Sequence, residues 1–101
     1  MRYVLTAQAE DQLTTLLYEL AEHAGWSRSM DVEEKLYDAF HELARNPGIG
    51  HTRSDLTHLP IHFYYAEPYL VIYQRETTPL RIVAIHHGSR NLAEILLGEI
   101  E

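Results

Sequence analysis

The sequence contains no cysteine and only one lysine, Lys35. The first absence excludes disulfides and thiolate metal sites, and it suits a cytoplasmic protein. The second leaves arginine to carry almost all positive charge, and the formal net charge is −7. A chain so acidic is a poor holder of RNA, because phosphate binding rests on clustered Lys and Arg. Long apolar runs are missing too. The longest, Tyr69 to Tyr73, is far too short to span a bilayer. The opening Met1-Arg2-Tyr3-Val4-Leu5-Thr6 turns polar at once and lacks a signal-peptide run, so no membrane partner is expected. What is present is the composition of an ordinary globule, 46% apolar and 23% charged over 101 residues. That length fits one domain spanning residues 1–101.

Charge is unevenly spread. Residues 1–44 hold three basic and nine acidic side chains, whereas residues 45–90 hold five arginines, three acids and five of the seven histidines. The acids read as the solvated faces of helices, and the arginine- and histidine-bearing half as the working surface.

Periodicity orders the elements. Residues 2–5 read as a short strand. Thr6 is a plausible N-cap, with Glu10 and Asp11 near the positive end of the helix dipole. Ala9, Leu13, Leu16, Leu17, Leu20 and Ala24 then follow at steps of three and four, which predicts an amphipathic helix. Gly25 suits its C-cap. A linker Trp26-Ser27-Arg28 follows, and Ser27 or Ser29 is placed to cap a second helix with the stripe Val32, Leu36, Phe40 and Leu43. Asn46-Pro47-Gly48 ends it. After residue 50 the period falls to two. Leu59, Ile61 and Phe63 share one strand face, with His58 and His62 on the other. Tyr69 to Tyr73 form a nearly all-apolar central strand. Leu80, Ile82 and Ala84 alternate with Arg81, Val83 and Ile85 in a third. Tight connections make these three an antiparallel meander, with the first strand joining the sheet edge. Residues 91–100 carry Leu92, Ile95 and Leu96 at helical spacing, a short final helix or a segment ordered by a partner. The expected architecture is α+β, in the order β-α-α-β-β-β, with a helix hairpin packed on one antiparallel sheet.

That order resembles the toxins of the RelE/ParE superfamily, and local segments repeat the likeness. Thr6-Ala7-Gln8-Ala9-Glu10-Asp11-Gln12-Leu13 is similar to the family's first helix start. Leu43-Ala44-Arg45-Asn46-Pro47-Gly48-Ile49-Gly50-His51 is similar to its helix exit, and Asp55-Leu56 stands shortly before the strands. Tyr69-Leu70-Val71-Ile72-Tyr73 is similar to its tyrosine-flanked strand. Ile85-His86-His87-Gly88-Ser89-Arg90-Asn91-Leu92 is similar to its closing His-Gly-Ala-Arg-Asp. The resemblance implies the toxic half of a type II toxin–antitoxin pair. RelE-like members cleave mRNA in the ribosomal A site, and ParE-like members inhibit DNA gyrase. Both are neutralised by an antitoxin whose tail wraps the toxin, here a ParD-like or other cognate antitoxin in a hetero-oligomer.

The residues favour the ParE-like reading. Metal-free RNA cleavage needs a base for the 2′-OH, cations on the phosphate and an acid for the leaving oxygen. Arginine cannot be a base near neutral pH, so His86 or His87 would have to serve. Gyrase inhibition needs only a fitting surface, and the candidate target-binding residues are Arg90, His87, Arg53 and Arg81. Arg90 has a structural alternative, bonding loop carbonyls, and one of His86 and His87 is expected to pack against the sheet while the other is exposed. His58 and His62 would start roughly 13 Å apart on a strand, at ~3.3 Å per residue, so no metal site is expected, and no cofactor. Tyr64, Tyr65, Tyr69 and Tyr73 read as sheet residues at the edge of the core before they read as base-stacking platforms. A toxin without activity, acting only in antitoxin binding and autoregulation, is the further alternative, and toxicity on expression separates it from the others.

Overall fold

The computed structural model describes residues 2–55 and 57–88. The expected final helix over 91–100, Leu56 and the candidate Arg90 lie outside the described residues. The chain runs β1 (Tyr3–Leu5), α1 (Ala7–Ala24), α2 (Trp26–Arg45), a single 3₁₀ turn (Pro47–Ile49), β2 (His62–Ala66), β3 (Tyr69–Gln74) and β4 (Leu80–His87).

Helix α1 starts where its cap allows. The Thr6 hydroxyl accepts from the Ala9 amide at 3.1 Å and donates to the Val83 carbonyl at 3.3 Å. One side chain thus caps the helix and ties its first turn to β4. The expected three-residue linker does not exist, because α2 begins at Trp26 and Gly25 alone joins the helices. Its φ of 90° explains the residue. A Cβ there would meet nothing within 4 Å, so backbone conformation and not space requires glycine. Neither Ser27 nor Ser29 caps α2. Ser29 is buried instead and donates to the Leu17 carbonyl at 2.7 Å, pinning the hairpin.

The sheet order is β1-β4-β3-β2. β2, β3 and β4 form the expected antiparallel meander. β1 joins the edge as expected, but parallel to β4, so the sheet is mixed. The hairpin covers one face, where Leu36, Phe40 and Leu43 pack with Val71, Tyr73, Ile82 and Ile85. The opposite, distal face holds a smaller cluster of Ile61, Phe63, Leu70, Ile72 and Ala84, with Leu59 packed against it. Leu59, Ile61 and Phe63 therefore do share a face, although regular pairing of β2 begins only at His62. The expected alternation in β4 breaks at Val83. Tyr73 pairs with Ile82 and Ile72 with Ala84, which leaves Val83 as an extra residue in the register. A bulge of one residue reverses every side chain beyond it, so Ile85 faces the helices and Ala84 does not.

Tyr73 closes the end of the core. It is fully buried; its hydroxyl donates to the Pro47 carbonyl at 2.6 Å and accepts from the Gly50 amide at 3.0 Å. The long connection after α2 is thereby latched to the sheet. Burial pushes the phenol above its ordinary 10.0, as it does for Tyr69 and Tyr3. The neutral forms are thus favoured in the folded chain, so their contribution is full below pH 10 and lost as pH rises through the raised folded values. The melting temperature should fall above pH 10 more steeply in the native chain than in Tyr73→Phe. That variant should itself cost about 1–3 kcal/mol at neutral pH, because it leaves two backbone groups unpaired. Parallel alkaline melting curves for the two chains would contradict this account.

Candidate functional site

The residues singled out in the sequence fall on two sides of the sheet. Antiparallel partners share a face, and Tyr65, Leu70 and His86 are such a row across β2, β3 and β4. Leu70 belongs to the distal cluster, which places Tyr65 and His86 on the distal face. Tyr69 and His87 form the neighbouring pair on the helix face, where Tyr69 joins the main core. The two adjacent histidines thus divide as expected. His86 is buried and His87 exposed.

His87 stands edge-on to the Tyr69 ring, with centroids 5.7 Å apart, at the mouth of a groove of about 500 Å³ between α1 and the end of the sheet. Leu16, Leu20 and Ile85 make its apolar floor, and Asp11 and Glu19 its acidic rim. The groove exists because β1 is only three residues long and pairs with β4 only from Leu80 to Ile82. Beyond that point α1 lies beside β4, and Gln12 takes over from a strand by accepting the Ile85 amide at 2.8 Å.

Arg53 lies in the connection before β2 and is exposed. Asp55 grips it with two bonds, Nε to Oδ1 at 3.0 Å and Nη2 to Oδ2 at 2.8 Å. These bonds hold the guanidinium above and the Asp55 carboxyl below their usual ranges, and the Tyr65 phenol adds to the first effect. Tyr65 in turn reaches the Gly88 carbonyl with its hydroxyl at 3.0 Å. The structure so brings Tyr65 and Gly88 together at one end of the sheet. It does not bring Arg81 there. Arg81 is the second residue of β4 and donates to Gln74 Oε1 at 3.2 Å, roughly 20 Å from His87 at ~3.3 Å per residue.

Four tyrosines are expected at the edge of the core. Tyr69 and Tyr73 are buried and Tyr64 is half-buried, but Tyr65 stands 53% exposed. Its alternation with the apolar Phe63 on a shared face hid this, because the distal cluster ends before it. The sole lysine is engaged in the fold, since Lys35 Nζ donates to the Glu67 carbonyl. The two histidines weighed as a metal pair are not on one strand. His58 precedes β2 and is exposed, while His62 is buried beside Tyr73 with its Nε2 3.4 Å from Glu76. Among the described residues no group of three or more His, Asp or Glu side chains could hold a metal ion, and no helix is long and apolar enough to cross a membrane.

Comparison with known proteins agrees with this architecture. No curated protein matches the chain. Among solved structures, one described as the chromosomal ParDE TA system from P. aeruginosa superposes with a TM-score of 0.70. The match covers 86% of this chain and 95% of that one at 14% identity, a likeness of fold. The model of the ParE toxin of the type II toxin–antitoxin system, parDE, matches residues 3–92. That span takes in the two helices and four strands of the described residues and the sequence His87-Gly88-Ser89-Arg90, and the chain belongs to the ParE toxin family of type II toxin–antitoxin systems.

Proposed function

We propose that this chain is a cytoplasmic toxin that inhibits DNA gyrase and is neutralised by a cognate, ParD-like antitoxin in a hetero-oligomeric complex. The observation that supports binding over cleavage is the separation of the candidate groups. His87 stands against Tyr69 on the helix face, Arg53 lies in the connection before β2 and is engaged by Asp55, and Lys35 is engaged by Glu67. An acid, a base and a phosphate contact must converge within hydrogen-bonding reach of one another's substrate atoms, whereas Arg53 and Lys35 are each taken up by a partner of their own. A binding surface makes no such demand. The residues proposed to contact the target are Arg90 and His87, with Arg53. The seat proposed for the antitoxin is the groove beside α1. A relative of the same fold comes from a ParDE system, which supports a partner of that kind.

Induced expression without antitoxin tests the reading, with DNA supercoiling and mRNA integrity followed side by side. Filamentous growth, a DNA-damage response and intact bulk mRNA are expected. Arg90→Ala should abolish toxicity while the melting transition and antitoxin binding persist. Codon-positioned cuts in mRNA with gyrase supercoiling untouched in vitro would instead assign the chain to ribosome-dependent cleavage. A harmless chain that still binds its antitoxin would leave autoregulation.

A further inference from the structure

We propose that the outer edge of β2 is a self-association surface, on which a second copy of this chain adds its own β2 antiparallel to this one about a two-fold axis at Tyr65. The inference does not depend on the target proposed above. The sheet order leaves β2 at an edge. Phe63 donates its amide to the His51 carbonyl at 2.7 Å and accepts the His51 amide at 2.8 Å. Both backbone groups of Phe63 therefore point away from β3. Alternate residues of an antiparallel strand point the same way, so the Tyr65 amide and carbonyl point outward as well. Ahead of His51 the chain is taken up by the 3₁₀ turn Pro47–Ile49. Among the described residues no strand lies beside Tyr65 on that side, and neither of its backbone groups has a partner.

An outward amide and carbonyl on one residue are self-complementary. Two copies related by a two-fold exchange both bonds between their Tyr65 residues, with Tyr64 of each opposite Ala66 of the other. The edge lacks the devices that block such pairing. His62-Phe63-Tyr64-Tyr65-Ala66 contains no lysine and no proline, and its register with β3 is unbroken. Tyr65 is 53% exposed, and aromatic side chains directly opposite each other across an antiparallel pair attract.

Charge selects a second copy as the occupant. The edge borders a cleft of about 560 Å³ whose other wall is α2. Lys35 and Arg45 lie there with Asp38, Glu42 and Glu67, so a chain of net charge −7 comes close to neutrality at this surface and carries both signs to a two-fold partner. The groove beside α1 instead holds Asp11 and Glu19 without Lys or Arg, which repels another acidic copy. No residue of β2 lines that groove, so the dimer leaves both antitoxin seats open.

The test is sedimentation equilibrium of the purified full chain over a range of concentrations, joined to amide hydrogen exchange and melting curves. The mass should rise from 11.7 kDa toward twice that value as the chain is concentrated. Tyr65→Lys sets like charges against each other at the axis. Tyr65→Pro removes the outward donor, and its ring is tolerated on an edge strand. Each should weaken dimerisation by about tenfold or more while the melting transition persists. Tyr18→Ala, on the exposed surface of α1, should leave dimerisation unchanged. In the native chain the Tyr65 amide should exchange freely when dilute and slow by about tenfold or more when concentrated. The Phe63 amide, already bonded to His51, should change little.

A mass that stays at 11.7 kDa at every concentration would overturn the proposal. So would a dimer that both Tyr65 variants retain, or one that leaves Tyr65 exchange unaltered. Should either variant lose its melting transition, exchange at Tyr65 in the native chain decides by itself. Dissociation of the dimer by saturating antitoxin would give this edge to the antitoxin and overturn the proposal too.

Discussion

Phe40→Ala should lower the stability of this protein by about 3–5 kcal/mol, as truncation of a fully buried phenylalanine does. Phe40 sits where the helix hairpin meets the sheet and is completely enclosed. Its ring lies 5.5 Å from Tyr3 of β1 and 5.5 Å from Tyr37 one turn before it, the latter edge-on. Such pairs contribute roughly 0.5–1.5 kcal/mol beyond the buried area. The variant therefore opens a cavity and also releases the short edge strand, which has only three residues of pairing to β4. A domain of this size is stable by only about 5–15 kcal/mol, so the loss is a large share of the total. Urea unfolding should show a lower midpoint at unchanged slope. Leu17 packs against the same core but is only half-buried, so Leu17→Ala should cost less than Phe40→Ala. Tyr18 is 61% exposed on the same helix, and Tyr18→Ala should stay within about 0.5 kcal/mol. Equal losses at Phe40 and Tyr18 would mean that the helices do not pack on the sheet as described.

Saturating cognate antitoxin should stabilise the chain by about 4 kcal/mol when present at roughly a thousand times its Kd. For a domain of this length that is a rise of roughly 15–30 °C in melting temperature. The groove beside α1 motivates the expectation. Leu16, Leu20 and Ile85 offer apolar contact, and Asp11 and Glu19 offer negative charge at the rim. A segment that fills it should be amphipathic, with Lys or Arg opposite those acids, and its binding should weaken as salt rises. Leu20→Asp should reduce the stabilisation strongly, since it places a charge on the apolar floor, while the half-buried position lets the free chain keep its fold. An unchanged melting temperature at saturating antitoxin would refute the partner assignment. A rise that Leu20→Asp leaves intact would move the seat elsewhere on the molecule.

Local chemistry determined a good deal by itself. The three- and four-residue spacing of Leu13, Leu16, Leu17 and Leu20, and of Val32, Leu36, Phe40 and Leu43, defined both helices, because neighbours one turn apart lie on one face whatever the rest of the chain does. Thr6 and Gly25 marked helix ends because capping depends on residues within one turn. The alternation in β2 and the apolar run of β3 named the strands, and with the local segments they carried the family likeness. What lay beyond one turn or one strand did not show. A three-residue β1 carries no information about its partner, so its parallel pairing with β4 was decided by where the hairpin delivers the chain. The bulge at Val83 was decided by the fit of β4 to β3 and to Thr6, and it reversed the faces predicted for Ala84 and Ile85. The exposure of Tyr65 and its contact with Gly88 across 23 residues of sequence both depend on cross-strand register. Register is set by packing between segments distant in sequence, and it is the tertiary structure alone that joins those segments.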